Sequence, residues 1–200
     1  MLMSVNTSRN YIQSDRNQFI NPLCIFTTTS SLYLDFTPTR VYNGESFIAE
    51  NSTDGKAIIR LYNSYGSSGI SYIFRNNGDN IGTYMRNIYD AQERLYRITF
   101  LVDAPRKYIH LTIGDEIVWT TSKATIPLTQ HDTEPNFFLL KAYAKIHGFK
   151  FWDNGILKRD MIPVRVVTEH GENEGAMFDK ISGIMCYNQG TGSFIIGPDL

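Results

Sequence analysis

The stretch KIHGFKFWDNGILKRDMIPVR, residues 145–165, decides the fold. In its first half, buried-type residues such as Phe149 and Phe151 alternate with their neighbours, which is the period of a β-strand. The Asn-Gly pair at 154–155 is a strong signal for a tight hairpin turn, because both residues tolerate positive φ. The second half returns as a partner strand, and Pro163 is expected to end that strand or to lie at an edge. The stretch therefore predicts a β-hairpin.

Turn and strand signals continue towards the C-terminus. Asp179 is positioned to accept backbone N–H bonds in a turn over residues 179–183. The Gly-Thr-Gly turn at 190–192 is expected to return Phe194 to the core. We interpret these residues as structural rather than ligand-binding, because such patterns provide the backbone conformations and hydrogen bonds that turns require.

The rest of the chain shows the same character. It has 12 Tyr, 12 Phe and many Ile and Thr residues, which fit a pleated, half-buried surface better than a helix. Alternating runs at 32–36, 70–74, 96–102, 109–113 and 117–121 are separated by turn clusters rich in Asn and Gly. Only residues 87–93 and 141–145 are candidates for short helical turns. The sequence predicts an all-β protein of ten or more strands.

The C-terminal motifs resemble those of concanavalin A-like (laminin-G-like) sandwich modules, which occur in phage structural proteins and in surface proteins of gut bacteria. Residues 153–163, 175–183 and 188–198 are similar to their closing motifs, and Tyr11-Ile12-Gln13-Ser14 is similar to their opening strand. Phe178 stands where these modules usually have Tyr. The resemblance implies an all-β, two-sheet antiparallel sandwich or jelly roll.

We expect a single domain over residues 11–200, preceded by an arm over residues 1–10, because those first residues are polar and aperiodic. Cys24 and Cys186 lie among apolar neighbours, and two free buried thiols are favoured over a disulfide.

Charge and hydropathy exclude several classes of function. A net charge of −1 gives no basic surface for nucleic acid. No apolar run approaches the roughly 18–20 residues that span a bilayer, so we expect no membrane insertion. The first residues, MLMSVNT, lack the features of a secretory leader, which favours synthesis in a host cytoplasm.

No pattern for catalysis or cofactor binding emerges, so we expect neither catalytic nor metal-binding residues, no cofactor and no enzymatic activity. Glu172 and Glu174 have the spacing of a carboxylate pair, but they lie in a polar loop that cannot hold them rigidly. The four histidines are scattered without metal-ligand spacing, and no Ser-based nucleophile elbow occurs.

Binding is the remaining class. A segment rich in Tyr, Asn, Ser and Gly has the composition of adaptable recognition loops. Its Tyr62 and Tyr65 would stack on sugar faces while Asn63 and Asn76 bond hydroxyl groups. The alternative is a long hairpin loop with its aromatic residues packed inward.

Two hypotheses follow. The first is a non-enzymatic structural or adhesive component of a phage virion, such as a capsid decoration, head fibre or tail-associated protein. Such a protein would associate with copies of itself and with other virion proteins. This hypothesis also leaves open a contact with host-surface glycans. The second is a lectin-like carbohydrate-binding module of a bacterial surface protein, located at the cell surface.

Overall fold

The computed structural model describes residues 5–25, 30–39, 44–51, 57–64, 67–76, 79–87, 96–103, 106–113, 116–123 and 137–200, with side chains described for 8–25, 31–39 and 138–200. The strands are β1 (Val5–Ser8), β2 (Ile12–Asp15), β3 (Ser30–Pro38), β4 (Gly44–Asn51), β5 (Ala57–Ser64), β6 (Ser67–Asn76), β7 (Asp79–Asn87), β8 (Tyr96–Asp103), β9 (Arg106–Ile113), β10 (Glu116–Lys123), β11 (Phe137–Lys141), β12 (Tyr143–Asp153), β13 (Ile156–Val167), β14 (Asn173–Asp179), β15 (Met185–Cys186) and β16 (Ile195–Ile196). In these ranges the chain forms no helix, and so none that could cross a membrane.

The strands form two antiparallel sheets. The larger sheet has the order β10-β9-β8-β3-β12-β13-β14-β15; in addition, β1 pairs with β13, β2 pairs with β12, and β16 pairs with β2. The smaller sheet has the order β11-β4-β5-β6-β7. This confirms the predicted all-β, two-sheet antiparallel sandwich class, and each alternating run identified in the sequence lies within a strand.

The hairpin that dominates the sequence is formed as expected. Phe151 of β12 pairs with Arg159 of β13, and the turn between the strands contains Asn154 and Gly155. These residues have φ values of 50° and 74°, the left-handed conformation that an Asn-Gly turn supplies.

The helical turn predicted over 141–145 is wrong. Lys141 ends β11 in the smaller sheet, and Tyr143 begins β12 in the larger one. The change of sheet is made at Leu140, whose φ is 72°, and at the bend at Ala142. Strand pairing on both sides overrides the local preference for a helical turn. Of the other candidate turn, 87–93, Asn87 ends β7 and the remainder lies outside the described residues.

Pro163 also differs from expectation, since it lies inside β13 rather than at an end. Up to Met161, β13 pairs with β12, and from Val164 it pairs with β1. The Pro163 carbonyl accepts a hydrogen bond from the backbone N–H of Arg9, so its nitrogen faces the same side, where the partner strand changes. A missing N–H is tolerated there because no continuous ladder requires it.

Strands β12 and β13 separate beyond this point, and we call the opening between them the fork. Residues 5–15, which we call the bridging segment, occupy it. Their β1 pairs with β13, and their β2 pairs with β12. The sequence predicts a polar arm over residues 1–10. The structure describes residues 5–10 of it and places them within the hydrogen-bonding of the sheet, because their backbone completes the open edges of the fork.

The core lies on one face of the larger sheet. Leu34 of β3, Phe149 of β12 and Met161 of β13 are opposite one another on adjacent strands, and each is at most 1% exposed. Phe194 is 5% exposed, so its predicted return to the core is confirmed. The buried Cys24 and Cys186 are both free thiols.

Candidate functional site

The second face of the larger sheet carries polar and aromatic side chains. Tyr33 of β3 is opposite Lys150 of β12, which is opposite Asp160 of β13. One step along, Asp35 is opposite Gly148. Since side chains alternate between the two faces of a strand, these residues point away from the core formed by their neighbours.

A groove runs across this face, with a volume of about 380 Å³. That volume lies within the range of roughly 300–1,000 Å³ that is usual for small-molecule sites. We call it the Gly148 groove; it is lined by Tyr33, Asp35, Gly148, Phe149, Lys150, Trp152, Asp160, Met161, Ile162 and Lys180.

Gly148 forms part of the groove surface because it has no side chain. A Cβ atom placed there would meet only the Met161 carbonyl oxygen, at 3.8 Å. Gly148 does not have a positive φ angle, so its backbone conformation does not require glycine. Its position follows a β-bulge between Ile146 and Gly148, which shifts the pairing of β12 with β3. The absence of a side chain therefore leaves space on the sheet.

Two ammonium groups converge on one carboxylate at the groove. The Lys180 Nζ lies 2.8 Å from Oδ2 of Asp160, and the Lys150 Nζ lies 3.9 Å from Oδ1. The Asp160 side chain is 16% exposed, whereas the lysine side chains are 43% and 46% exposed. The carboxylate is thus largely buried beneath two accessible cations.

The loop that carries Lys180 is fixed by Asp179, which is fully buried. Its Oδ1 accepts hydrogen bonds from the backbone N–H groups of Asp160 and Ile181, at 2.9 and 3.2 Å. Its Oδ2 accepts from the backbone N–H and the hydroxyl of Ser182, at 3.3 and 2.5 Å. The predicted role of Asp179 as an acceptor in this turn is confirmed.

The charge of Asp179 is also compensated by Arg159, whose Nε lies 3.6 Å from Oδ2. Burial alone would raise the pKa of Asp179, but the hydrogen bonds from Ser182, Asp160 and Ile181 and the charge of Arg159 outweigh burial and lower the pKa. Asp179 therefore acts as an ionised structural anchor behind the groove.

Neither cysteine has the character of a reactive nucleophile. Burial raises the pKa of the Cys24 thiol to about 12, and burial also raises the pKa of Cys186. Among the residues that the structure describes, no group of three or more potential metal ligands is brought together.

Three of the residues predicted to bind carbohydrate, Tyr62, Asn63 and Asn76, lie in strands of the smaller sheet. In the backbone, Tyr62 and Asn63 pair with Gly69 and Ser68 near the start of β6, and Asn76 is at the other end of β6. The eight-residue separation between Ser68 and Asn76 corresponds to roughly 26 Å along a strand. The backbone thus places Asn76 apart from Tyr62 and Asn63, and Tyr65 lies outside the described residues.

Sequence reasoning missed the residues of the Gly148 groove. The sequence did contain one signal for the groove. Tyr33 and Trp152 are aromatic residues that alternate with the apolar residues of their strands, so they lie on the face of the sheet opposite the core. The sequence alone does not reveal that β3 and β12 are neighbours, because their pairing joins residues more than 100 positions apart.

No family profile matches the chain, and no curated protein sequence matches it. A crystal structure of a protein from Bacteroides ovatus ATCC 8483, provisionally described as carbohydrate-binding, superposes with a TM-score of 0.60 at 10% sequence identity. The match covers 98% of this chain and 61% of that protein, so this chain spans less than two thirds of it. At this identity the likeness shows the fold alone, an all-β arrangement of antiparallel sheets.

Proposed function

We propose that this chain is a non-enzymatic carbohydrate-binding module, and that the Gly148 groove is its binding site. One observation carries the proposal: the groove combines the aromatic residues Tyr33 and Trp152 with the charged groups of Asp35, Lys150 and Lys180.

This combination suits a sugar ring. A pyranose has a face of C–H groups that packs against an aromatic ring, and hydroxyl groups at its edge that need hydrogen-bond partners. Tyr33 and Trp152 offer the aromatic surface. Asp35 is an acceptor for hydroxyl groups, and the lysines are donors.

Binding is favoured over cleavage by the state of the carboxylates. Hydrolysis of a glycosidic bond requires two carboxyl groups that act on the same bond. Both oxygens of Asp160 face lysine ammonium groups, which dedicates this carboxylate to holding the lysines in place. Among the described groove residues, no second carboxylate then remains that could act with Asp35 on the same glycosidic bond.

The carbohydrate-binding description of the Bacteroides ovatus structure adds support at the level of fold. It favours the lectin-like module, with a bacterial cell surface as the proposed location, over a role in a phage virion. The virion role, with its partners and its assembly from several copies, remains a prediction from the resemblance in sequence.

A filled groove tests the proposal. Binding is first sought on a glycan array and then measured by calorimetry for the best ligand. Gly148→Leu adds a side chain to the groove where the backbone accepts one, and we expect affinity to fall at least about tenfold because the ring is displaced.

Glu172→Leu is the matched control, since it adds the same side chain in an exposed loop outside the groove. Its affinity should equal that of the unmodified protein, and both variants should keep their melting temperature. An array without any bound glycan would contradict the function, and unchanged binding by Gly148→Leu would contradict the site.

A further inference from the structure

We infer that the Gly148 groove selects acidic sugars, with Lys150 and Lys180 binding the carboxylate of a uronic acid residue. The inference rests on the proposed carbohydrate-binding function and adds the ligand class.

The local charge favours an anion beside Asp160. Asp160 contributes one negative charge and Lys150 and Lys180 contribute two positive charges, and we call this cluster the lysine end of the groove. The surplus positive charge lies on the exposed members of the group, because the lysines are almost half exposed and the aspartate is not. An incoming anion therefore meets cations first.

The hydrogen-bond donors of the two lysines also favour an anion. An ammonium group has three N–H donors and no acceptor. Among the residues whose side chains are described, each lysine ammonium group contacts one oxygen of Asp160, which uses at most one of its three donors. Because both Asp160 oxygens are engaged, this end of the groove offers donors and few acceptors. A carboxylate, which only accepts, fits that end better than a hydroxyl group does.

The backbone that carries the two lysines is preorganised. The backbone N–H of Lys180 donates to the Asp160 carbonyl at 2.9 Å, and the preceding residue is the buried anchor Asp179. Lys150 lies within the paired region of β12 and β13. The backbone under each cation is therefore held before ligand arrives, which lowers the entropy cost of binding.

The arrangement also orients the ligand. Asp35 is next to Gly148, one step along the sheet from the Lys150–Asp160 pair. A carboxylate near Asp35 would be repelled, whereas a hydroxyl group there can donate to it. A uronic acid residue would therefore place its carboxylate towards the lysines and its hydroxyl groups towards Asp35.

The test uses oligosaccharides of galacturonate, mannuronate and glucuronate, each beside its carboxyl-reduced neutral counterpart, with calorimetry at low and high salt. We expect at least one acidic member to bind about tenfold more tightly than its neutral form. That difference should shrink as salt screens the charges.

Lys180→Gln keeps a long polar side chain without the charge, and we expect it to lower affinity for the acidic ligand about fivefold and affinity for the neutral form by less than about twofold, because the glutamine amide still donates to hydroxyl groups. Lys158→Gln is the matched control: Lys158 is exposed on the same hairpin and does not line the groove. It should bind like the unmodified protein.

The outcomes separate the two proposals. Equal affinity for acidic and neutral forms, or equal loss for both in Lys180→Gln, overturns the selectivity and leaves carbohydrate binding intact. If no oligosaccharide of either kind binds and no glycan on the array is bound, both the proposed function and the proposed selectivity are contradicted.

Discussion

Asp179 carries a carboxylate into the interior of the sheet and surrounds it with donors. Four hydrogen bonds and the nearby Arg159 compensate the cost of removing this group from water. The same Arg159 donates to the carbonyl oxygens of Pro22 and Leu23, so it ties another segment to this point. One side chain thus positions the loop that carries Lys180.

We expect Asp179→Asn to lower the free energy of unfolding by about 2–4 kcal/mol, because the amide nitrogen would face N–H donors and Arg159 would lose its counter-charge. Urea denaturation at pH 7 measures the loss, with the exposed Glu172→Gln as control. A difference below about 0.5 kcal/mol would contradict the role assigned to Asp179.

The lowered pKa of Asp179 gives the sign of its pH effect. A carboxyl group that is more acidic in the folded protein stabilises the fold at pH values above its unfolded pKa, which is 3.8 for Asp, and loses that effect as pH falls further. The difference in the free energy of unfolding between the unmodified protein and Asp179→Asn should therefore become smaller in strong acid.

At the scale of elements, the fork depends on His147. Its Nδ1 lies 2.8 Å from the Asn10 carbonyl oxygen, and its Nε2 lies 2.9 Å from the Thr37 hydroxyl. A carbonyl only accepts, so Nδ1 carries the proton and Nε2 accepts from Thr37 in the neutral ring. Tyr11 packs edge-on against the ring at 5.8 Å. His147 thereby joins the bridging segment to β3 and β12.

Burial lowers the pKa of His147, despite the opposing effects of the Asn10 carbonyl and of Asp35; the charge of Lys145 lowers it further. Below the unfolded pKa of 6.5, the unfolded chain binds more protons at this site than the folded chain, so stability declines as pH falls. We expect the free energy of unfolding to be smaller at pH 5.5 than at pH 7.5.

His147→Gln isolates this contribution, since glutamine does not titrate. Urea denaturation of both proteins at the two pH values should show a smaller pH dependence for the variant. An equal dependence in both would assign the effect to other groups.

Local signals in the sequence predict the elements well and their partners poorly. The Asn154-Gly155 turn, the Asp179 turn and the alternating strands follow from residues close together in the chain. The interior position of Pro163 and the pairing of residues 5–15 do not, because each depends on a strand from the opposite end of the chain. The groove was missed for the same reason: it is assembled across β3, β12 and β13.

At the scale of the whole molecule, the two terminal regions hold each other. Ile195 and Ile196 pair with Gln13 and Ile12, and further backbone hydrogen bonds continue this contact to Leu200. Arg9 is 6% exposed and forms a salt bridge with Asp199. Its Nε and Nη2 have no hydrogen-bond partner, so Asp199 is the charge that compensates this buried cation among the described residues.

We expect deletion of residues 195–200 to lower the free energy of unfolding by about 3–5 kcal/mol, because it removes a strand and leaves the Arg9 cation uncompensated. Thermal melting followed by circular dichroism measures the change. Deletion of Leu200 alone, which is 80% exposed, is the control and should cost less than about 1 kcal/mol. Equal melting of the two truncated proteins would contradict the role of the terminal strand.

The bridging segment also constrains the order of events during synthesis. Residues 5–15 are synthesised well before residues 143–167, yet Asn10 meets His147 across 137 positions of sequence, and β2 also pairs with β16, which is synthesised later still. The fork does not exist until both of its strands have been translated. Contacts of such long range form slowly, so residues 5–15 lack their partner strands while the intervening strands are translated. The bridging segment is thus made early and is among the last parts of the larger sheet to reach its place.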